Sequence, residues 1–210
     1  MIERPAAMLV VELQNDLCAP SLVDQPGLSG ALARAVARRG VLATLAPVLD
    51  ACRASDVPVL YATKERHPGI PQPSFPPIYG AAGAKPKLVH GTWGAQVVDE
   101  VKPADGDVML PRYTSLDPSH GSELWAVLER LGARTLIVAG ISTTIAVEGT
   151  VRAAANRGLR VIVLEDCCAS VPEEWHRFSA DNVLPLLAEV VPAAWLLKEL
   201  GSRLPDDSPP

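Results

Sequence analysis

The segment TLIVAGISTTIAVEGTVRAAANRGLRVIVL, residues 135–164, has the pattern of two buried strands joined by a helix. Residues 135–139 and 160–164 are apolar runs rich in β-branched residues, as expected of strands that are buried on both faces. Between them, residues 145–157 have helical apolar spacing, and Gly158 closes the helix. A strand, a helix and a second strand in this order predict a parallel pair with a crossover.

The same alternation extends over most of the chain. Further strands are predicted at residues 7–13, 57–62 and 107–110, and further helices at 30–39, 42–53, 122–131, 175–187 and 193–200. Residues 66–92 are rich in proline and have no clean period, so we predict a long ordered loop there.

We therefore predict a single three-layer α/β/α domain with a central, mainly parallel sheet of five or six strands. The domain is expected to cover residues 1–200, and the polar, Pro-rich residues 201–210 are expected to form a mobile C-terminal tail. Ligands of such sheets bind beyond the carboxyl ends of the strands. The loops after Leu13, Leu110 and Ala139 are thus the candidate site.

Composition excludes several classes of function. The chain has 210 residues, which suits one domain, and a formal net charge of -5, which disfavours a nucleic-acid or an anionic-membrane partner. It contains neither a run of 18 apolar residues nor a recognisable signal peptide, so we predict a cytoplasmic protein without a membrane span. The four cysteines lack zinc-type spacing and are expected to be buried, reduced thiols.

Four segments together resemble one known family. LVVELQNDL (9–17) and AGISTTIAVEGTVRAAANRGLRVIVLEDCCAS (139–170) resemble the two signatures of the isochorismatase-like cysteine hydrolases. GTWGAQVVDEV (91–101) and DVMLPRYTSL (107–116) are similar to the family's middle section, so the resemblance spans about residues 7–190. It implies the same α/β/α fold, a small-molecule substrate, and a homodimer or a higher homo-oligomer.

The resemblance also locates the family's catalytic positions. In this family a cysteine attacks a carbonyl or nitrile carbon, an aspartate takes the thiol proton, and a lysine completes the triad. Carried over by motif, the aspartate corresponds to Glu12, the lysine to Leu110 and the cysteine to Ala146. We therefore predict a divergent member that lacks the Asp-Lys-Cys triad, in which only Glu12 can move a proton.

The turn before Ala146 is a second expected part of the site. Family members have a cis peptide there, which corresponds to Ile141–Ser142 in this chain. The backbone N–H of Ser142, with that of Ala146 at a helix start, would then form an oxyanion hole or an anion site. Thr143 in the same turn is a further candidate for substrate binding. The alternative is a plain strand-to-helix turn that is capped by Thr143 or Thr144.

Three further side chains are candidates, each with a second interpretation. His120, in the segment LDPSHGSEL, is either a general acid or base at the mouth of the site or an exposed loop histidine. Arg112 either replaces the charge of the missing lysine or forms a surface ion pair. Trp93 either lines the pocket with Leu110 or packs in the core.

No metal or other cofactor is predicted. Nicotinamidases of this family bind a metal through a pattern like DxHPxxHxSF, but this chain has Glu65 and His67 followed by Pro71 at the second histidine position. One carboxylate and one imidazole make a poor zinc site. The sequence also lacks a dinucleotide or phosphate-loop fingerprint.

Two functions remain. The first is nucleophile-independent acid/base chemistry on a small metabolite, with Glu12 as the acid or base. It includes hydrolysis such as enol-ether cleavage, for which the isochorismate-cleaving members of the family are the precedent, and ring opening, isomerisation or cyclisation. The alternative is a catalytically dead pseudoenzyme that serves as a binding or partner subunit.

Overall fold

The computed structural model of the protein describes residues 2–71, 76–78 and 87–201. Within these residues the strands are β1 (Ala6–Val11), β2 (Val59–Lys64), β3 (Val108–Arg112), β4 (Thr135–Ile141), β5 (Arg160–Ala169) and β6 (Glu189–Val191). They form one parallel sheet in the order β3-β2-β1-β4-β5-β6. The predicted single α/β domain with a parallel sheet of five or six strands is confirmed.

Helices cover the sheet. The α-helices are α1 (Asn15–Cys18), α2 (Gly27–Arg38), α3 (Val41–Ala54), α4 (Leu124–Arg130), α5 (Glu148–Ala155), α6 (Glu173–Phe178) and α7 (Ala193–Glu199). Short 3-10 helices lie at Pro20–Leu22, Trp93–Ala95, Asp99–Val101 and Leu184–Leu186. Single π-helical turns lie at Thr143–Val147, directly before α5, and at Ser179–Val183, directly after α6.

The C-terminal third differs from the prediction in two respects. The helical segment predicted for residues 175–187 is present over residues 173–186, but as α6, a π turn and the 3-10 helix Leu184–Leu186 in succession rather than as one uniform α-helix. Pro185 lies in that last turn and cannot donate a backbone hydrogen bond to continue an α-helix. Strand β6 was not predicted, since three residues are too few to show a period.

Side chains alternate between the two faces of the sheet with the period of two that strands impose. Met8 and Val10 pack against α3 and α7, whereas Leu9 and Val11 pack against α4 and α5. All six residues of β1 are buried, which explains the continuous apolar run in the sequence.

The strand order reverses between β1 and β4. The chain builds β2 and β3 on one side of β1 and then crosses to place β4 on the other side. The loops that follow β1 and β4 therefore diverge and leave a crevice between them, which is where open parallel sheets bind ligands. Glu12 and Ser142 are the first residues after these two strands.

No helix among the described residues combines the length and the apolar character needed to cross a bilayer. A mobile tail was predicted for residues 201–210. Residues 202–210 of this segment lie outside the described residues.

Gly140→Ala should strongly destabilise the fold. Gly140 has φ +126°, and a Cβ atom there would lie 2.1 Å from the Val11 carbonyl oxygen of the paired strand. The free energy of unfolding in urea should fall by more than about 4 kcal/mol. Gly106→Ala is the matched control, because Gly106 also has positive φ (+93°) but open space around it, so only the backbone cost of about 1–2 kcal/mol applies. Equal losses in the two variants would refute the proposed clash.

Candidate functional site

A cavity of about 640 Å³ opens at the crevice between the loops that follow β1 and β4. This volume suits a small-molecule ligand. Its apolar wall is made mainly of leucine, isoleucine and valine side chains and of Trp175. The polar and charged lining residues are Glu12, Ser29, Lys64, Arg66, Lys87, Ser142, Thr144 and Ser170.

Glu12 forms an ion pair with Arg112 at the base of this cavity. Arg112 Nη2 donates to Glu12 Oε1, and the guanidinium also donates to the carbonyls of Ser115 (3.1 Å, from Nε) and Leu116 (3.1 Å, from Nη2). The arginine side chain is fully buried, whereas the glutamate side chain is 13% exposed. The interpretation of Arg112 as a surface ion pair is therefore wrong, and Arg112 brings a positive charge to the acid.

The backbone at Glu12 is unusual. Glu12 has φ +52°, the left-handed region that non-glycine residues seldom adopt. Its N–H still donates to the Ala62 carbonyl (3.0 Å), so the residue remains attached to β2 while the chain turns out of the sheet. Such outliers are often found at functional sites.

The three residues after Leu13 anchor the neighbouring loops. Gln14 Nε2 donates to the carbonyls of Lys64 (3.0 Å) and Ala95 (2.7 Å), and Gln14 Oε1 accepts from the Lys64 N–H (2.9 Å). Asn15 Nδ2 donates to the Trp93 carbonyl at 2.9 Å. An Asp16 carboxylate oxygen accepts from the Leu88 N–H at 2.6 Å. Residues 14–16 thus fix the end of β2 and the backbone at Leu88, Trp93 and Ala95.

The turn after β4 contains the expected cis peptide bond between Ile141 and Ser142. Ser142, Thr144 and Ala146 line the cavity. The Ser142 carbonyl accepts from the N–H groups of Ile145 and Val147, both at 3.2 Å, which closes the π turn. No side chain caps this turn, so the alternative of a threonine cap is wrong.

Thr143 points away from the cavity into a buried polar chain. Its hydroxyl hydrogen-bonds to His176 Nδ1 (2.8 Å), and His176 Nε2 bonds to Glu165 Oε1 (2.9 Å). The hydrogen bond from His176, helped by Arg39, lowers the pKa of the Glu165 carboxyl to about 2, although burial opposes the shift. This chain of hydrogen bonds links the turn after β4 to Glu165 in the middle of β5 and holds the turn in place.

Three cationic residues at the cavity were not predicted. Lys64 is the last residue of β2, and burial lowers its pKa to about 8 in spite of the nearby Glu12 carboxylate. Arg66 follows two residues later, and Lys87 donates to the hydroxyl of buried Ser29 at 2.5 Å. The predicted strand ended at residue 62, so Lys64 was assigned to no element.

Other predicted site residues lie elsewhere. Leu110 is buried and packs in the apolar cluster that contains Ala146, so it lies behind the cavity wall. His120 is exposed in a turn, where its N–H donates to the Asp117 carbonyl at 3.1 Å. Trp93 is 54% exposed, because its carbonyl is tied to Asn15 while the indole extends outward. None of the three lines the cavity formed by the described residues.

Glu65 and His67 lie in a separate aromatic group. His90 Nδ1 hydrogen-bonds to Glu65 Oε2, and the His67 and His90 rings lie 5.9 Å apart, both against Tyr113. Within the described part of the chain, no three His, Cys, Asp or Glu residues are placed to hold a metal ion.

All four cysteines are buried, free thiols. Burial raises the pKa of Cys18, Cys52 and Cys168 to about 12 and raises the pKa of Cys167 as well. Cys168 pairs with Gly140 within the sheet and lies behind the strand end rather than at the cavity. The thiolate form that nucleophilic attack requires is therefore suppressed.

Lys64→Met should stabilise the protein at neutral pH. The folded-state pKa of Lys64 is about 8, below its ordinary value of 10.5, so the charged ammonium costs folding free energy at pH 7. This cost declines as pH rises from about 8 towards 10.5. We expect the variant to melt a few degrees higher at pH 7, with a smaller difference at pH 10. Exposed Lys102→Met is the control and should change little. A lower melting temperature for Lys64→Met at pH 7 would contradict the assignment.

The native thiols should resist labelling. Incubation of the folded protein with a thiol-reactive dye at pH 8 should modify none of the four cysteines within the time that fully labels the unfolded chain. Intact-protein mass spectrometry provides the count. Rapid modification of Cys168 under native conditions would show that it is accessible after all.

Comparison with known proteins identifies relatives over nearly the whole chain. Ureidoacrylate amidohydrolase RutB of Methylobacterium radiotolerans is 29% identical over 218 residues, covering 94% of this chain and 81% of the relative. The protein of the same name from Agrobacterium fabrum is 30% identical over 176 residues, covering 76% and 74%. These names support a small-molecule hydrolase.

The fold is shared with solved structures. An isochorismatase family protein from Desulfovibrio vulgaris superposes with a TM-score of 0.78 at 24% identity, covering 95% of this chain and all of that one. The model of the isochorismatase domain matches residues 6–194. The chain therefore belongs to the isochorismatase family.

Proposed function

We propose that the protein converts a small metabolite in this cavity by acid/base chemistry that needs no protein nucleophile, with Glu12 moving the proton. The observation that carries the proposal is the Glu12–Arg112 ion pair at the base of the cavity. A fully buried arginine requires compensation for its lost hydration, and the carboxylate that provides it lines the cavity, where a ligand can reach it.

The groups around Glu12 support this proposal. Position 110 is leucine and position 146 is alanine, so neither supplies a charge or a nucleophile, and no cysteine is among the described residues lining the cavity. The hydroxyls of Thr144 and Ser170 hydrogen-bond to each other at 2.9 Å rather than to a base that could activate them. The chain would thus be a family member without the Asp-Lys-Cys triad.

The ion pair also favours some reactions over others. An ion pair with arginine requires the ionised carboxylate, so Glu12 begins the reaction without a proton and acts first as a base. In a hydrolysis, Glu12 would take a proton from the attacking water and return it to the departing group. In an isomerisation, a ring opening or a cyclisation, it would move a proton between two substrate atoms. Enol-ether cleavage begins with proton donation and is less favoured by this geometry.

The side chain of Lys64 complements the role of Glu12. It lines the same cavity and lies close enough to Glu12 for the two charges to interact. Its ammonium group would stabilise negative charge on a substrate oxygen while Glu12 holds the proton.

Glu12→Gln should abolish turnover while leaving the protein folded. Wild type and variant would be incubated with a panel of small amides, lactones and enol ethers, and conversion would be followed by mass spectrometry. General-base catalysis contributes about 10²–10⁴-fold, so we expect a loss in this range. Exposed Glu100→Gln is the matched control and should retain full activity.

Melting temperatures would separate a catalytic from a structural effect. Glu12→Gln leaves buried Arg112 without its carboxylate and should lower the melting temperature. The double variant Glu12→Gln/Arg112→Gln removes both charges and provides a folded but inactive comparison. Full turnover by folded Glu12→Gln would exclude Glu12 as the acid or base. Ligand binding by the wild type with no conversion of any compound would favour the alternative, a non-catalytic binding subunit.

A further inference from the structure

The charges of the cavity are unbalanced. Among the described residues, three cationic side chains line it, Lys64, Arg66 and Lys87, against the single acidic side chain of Glu12. The charge of Glu12 is already matched by buried Arg112, which lies behind the cavity wall. The ion pairs between described residues include neither Arg66 nor Lys87. The lining therefore carries net positive charge, although the chain as a whole has a formal charge of -5.

Backbone contacts bring the residues of the three cations close together, and this part of the lining is called the cationic side below. The main chain of Lys64 is fixed by Gln14. Arg66 forms a parallel bridge with Val89, in which its N–H donates to the Leu88 carbonyl at 2.7 Å and its carbonyl accepts from the His90 N–H at 3.0 Å. Lys87 directly precedes this bridge and is oriented by Ser29.

Much of the rest of the lining is apolar. Leu28 and Leu32 of α2, Ile145 of the π turn, and Trp175 of α6 face the same space. Leu28, Ile145 and Trp175 are 45%, 36% and 58% exposed, so apolar surface is available to a ligand. Low-polarity walls also strengthen the field of the cationic side, because fewer water molecules screen it.

We propose that this cavity selects a small organic anion, a carboxylate or a phosphate monoester attached to an apolar, preferably aromatic, body. The anionic group would bind Lys64, Arg66 and Lys87, and the body would lie against Leu28, Ile145 and Trp175. This inference names the substrate class of the proposed acid/base site and rests on that proposal only for its location. It is tested by binding alone, so its failure is distinguishable from a failure of catalysis.

The anionic group would also place the substrate for Glu12. Contact with Lys64 brings the ligand next to the carboxylate, while repulsion between the two anions keeps the anionic group itself away from Glu12. The reacting atom is then an atom near, but not within, the anionic group.

A matched set of probes tests the proposal. Hydrocinnamate, phenethyl phosphate and the neutral hydrocinnamamide share a phenethyl body, and their affinities for the intact protein would be measured by isothermal titration calorimetry at pH 7. We expect one of the two anions to bind at least about tenfold more tightly than the amide, since each charge-assisted hydrogen bond contributes about 1.5–3 kcal/mol. The stronger of the two identifies the anionic group.

Variants assign the binding to these residues. Arg66→Met and Lys87→Met should each weaken the anion about tenfold and leave the amide unchanged, whereas Lys102→Met, at an exposed position, should change neither. Among the described residues, the Lys87 ammonium donates to a serine hydroxyl and forms no ion pair, so its substitution should not impair folding.

Anion binding should also depend on pH through Lys64. Its neighbours are Glu12, Arg66 and Arg112, and its pKa of about 8 means that the ammonium loses its proton as pH rises past 8. Affinity for the anion should therefore fall between pH 7 and pH 9 in the wild type and remain flat in Lys64→Met.

Equal affinity for the amide and both anions, or no binding of any probe, would overturn the proposal. Anion binding that is unchanged in Arg66→Met, Lys87→Met and Lys64→Met would do so as well.

Discussion

The contact between β1 and β4 is the constraint on which the site depends. Gly140 lies so close to the backbone of Val11 that no residue with a side chain fits there. Directly beyond this pair, β1 and β4 both end and the chain leaves the sheet. One turns through the left-handed conformation of Glu12, and the other passes through the cis peptide before Ser142. Because the strand order reverses here, the two exits diverge, and the cavity is the space between them.

Charge is arranged around that space in two layers. The inner layer is the buried pair of Glu12 and Arg112, which also ties the loop at Ser115 and Leu116 to the sheet. The outer layer is the cationic side that begins at Lys64. The low pKa of Lys64 shows that its charge is kept at a cost, which a bound anion would offset. The group that would bind the anion, Lys64, and the group that would transfer the proton, Glu12, are thus neighbours.

Periodicity and motif order predicted the parallel sheet, and the resemblance predicted the cis bond and the place of Glu12, because these depend on local patterns. The cationic side could not be predicted in the same way. Lys87 lies beside Leu88, whose N–H donates to the carboxylate of Asp16, 72 positions away in sequence. Trp93 was a candidate for the pocket wall, yet the Asn15 anchor leaves its ring outside. Such placements depend on long-range hydrogen bonds, which leave no period in the sequence.

The burial of all four cysteines has a consequence for the protein's sensitivity to oxidants. Peroxide and disulfide reagents act on exposed thiolates, and a hydrolase with a cysteine nucleophile loses activity when that sulfur is converted to a sulfenic or a sulfinic acid. The described residues that line this cavity contain neither cysteine nor methionine. The described lining thus offers no sulfur atom that peroxide could oxidise.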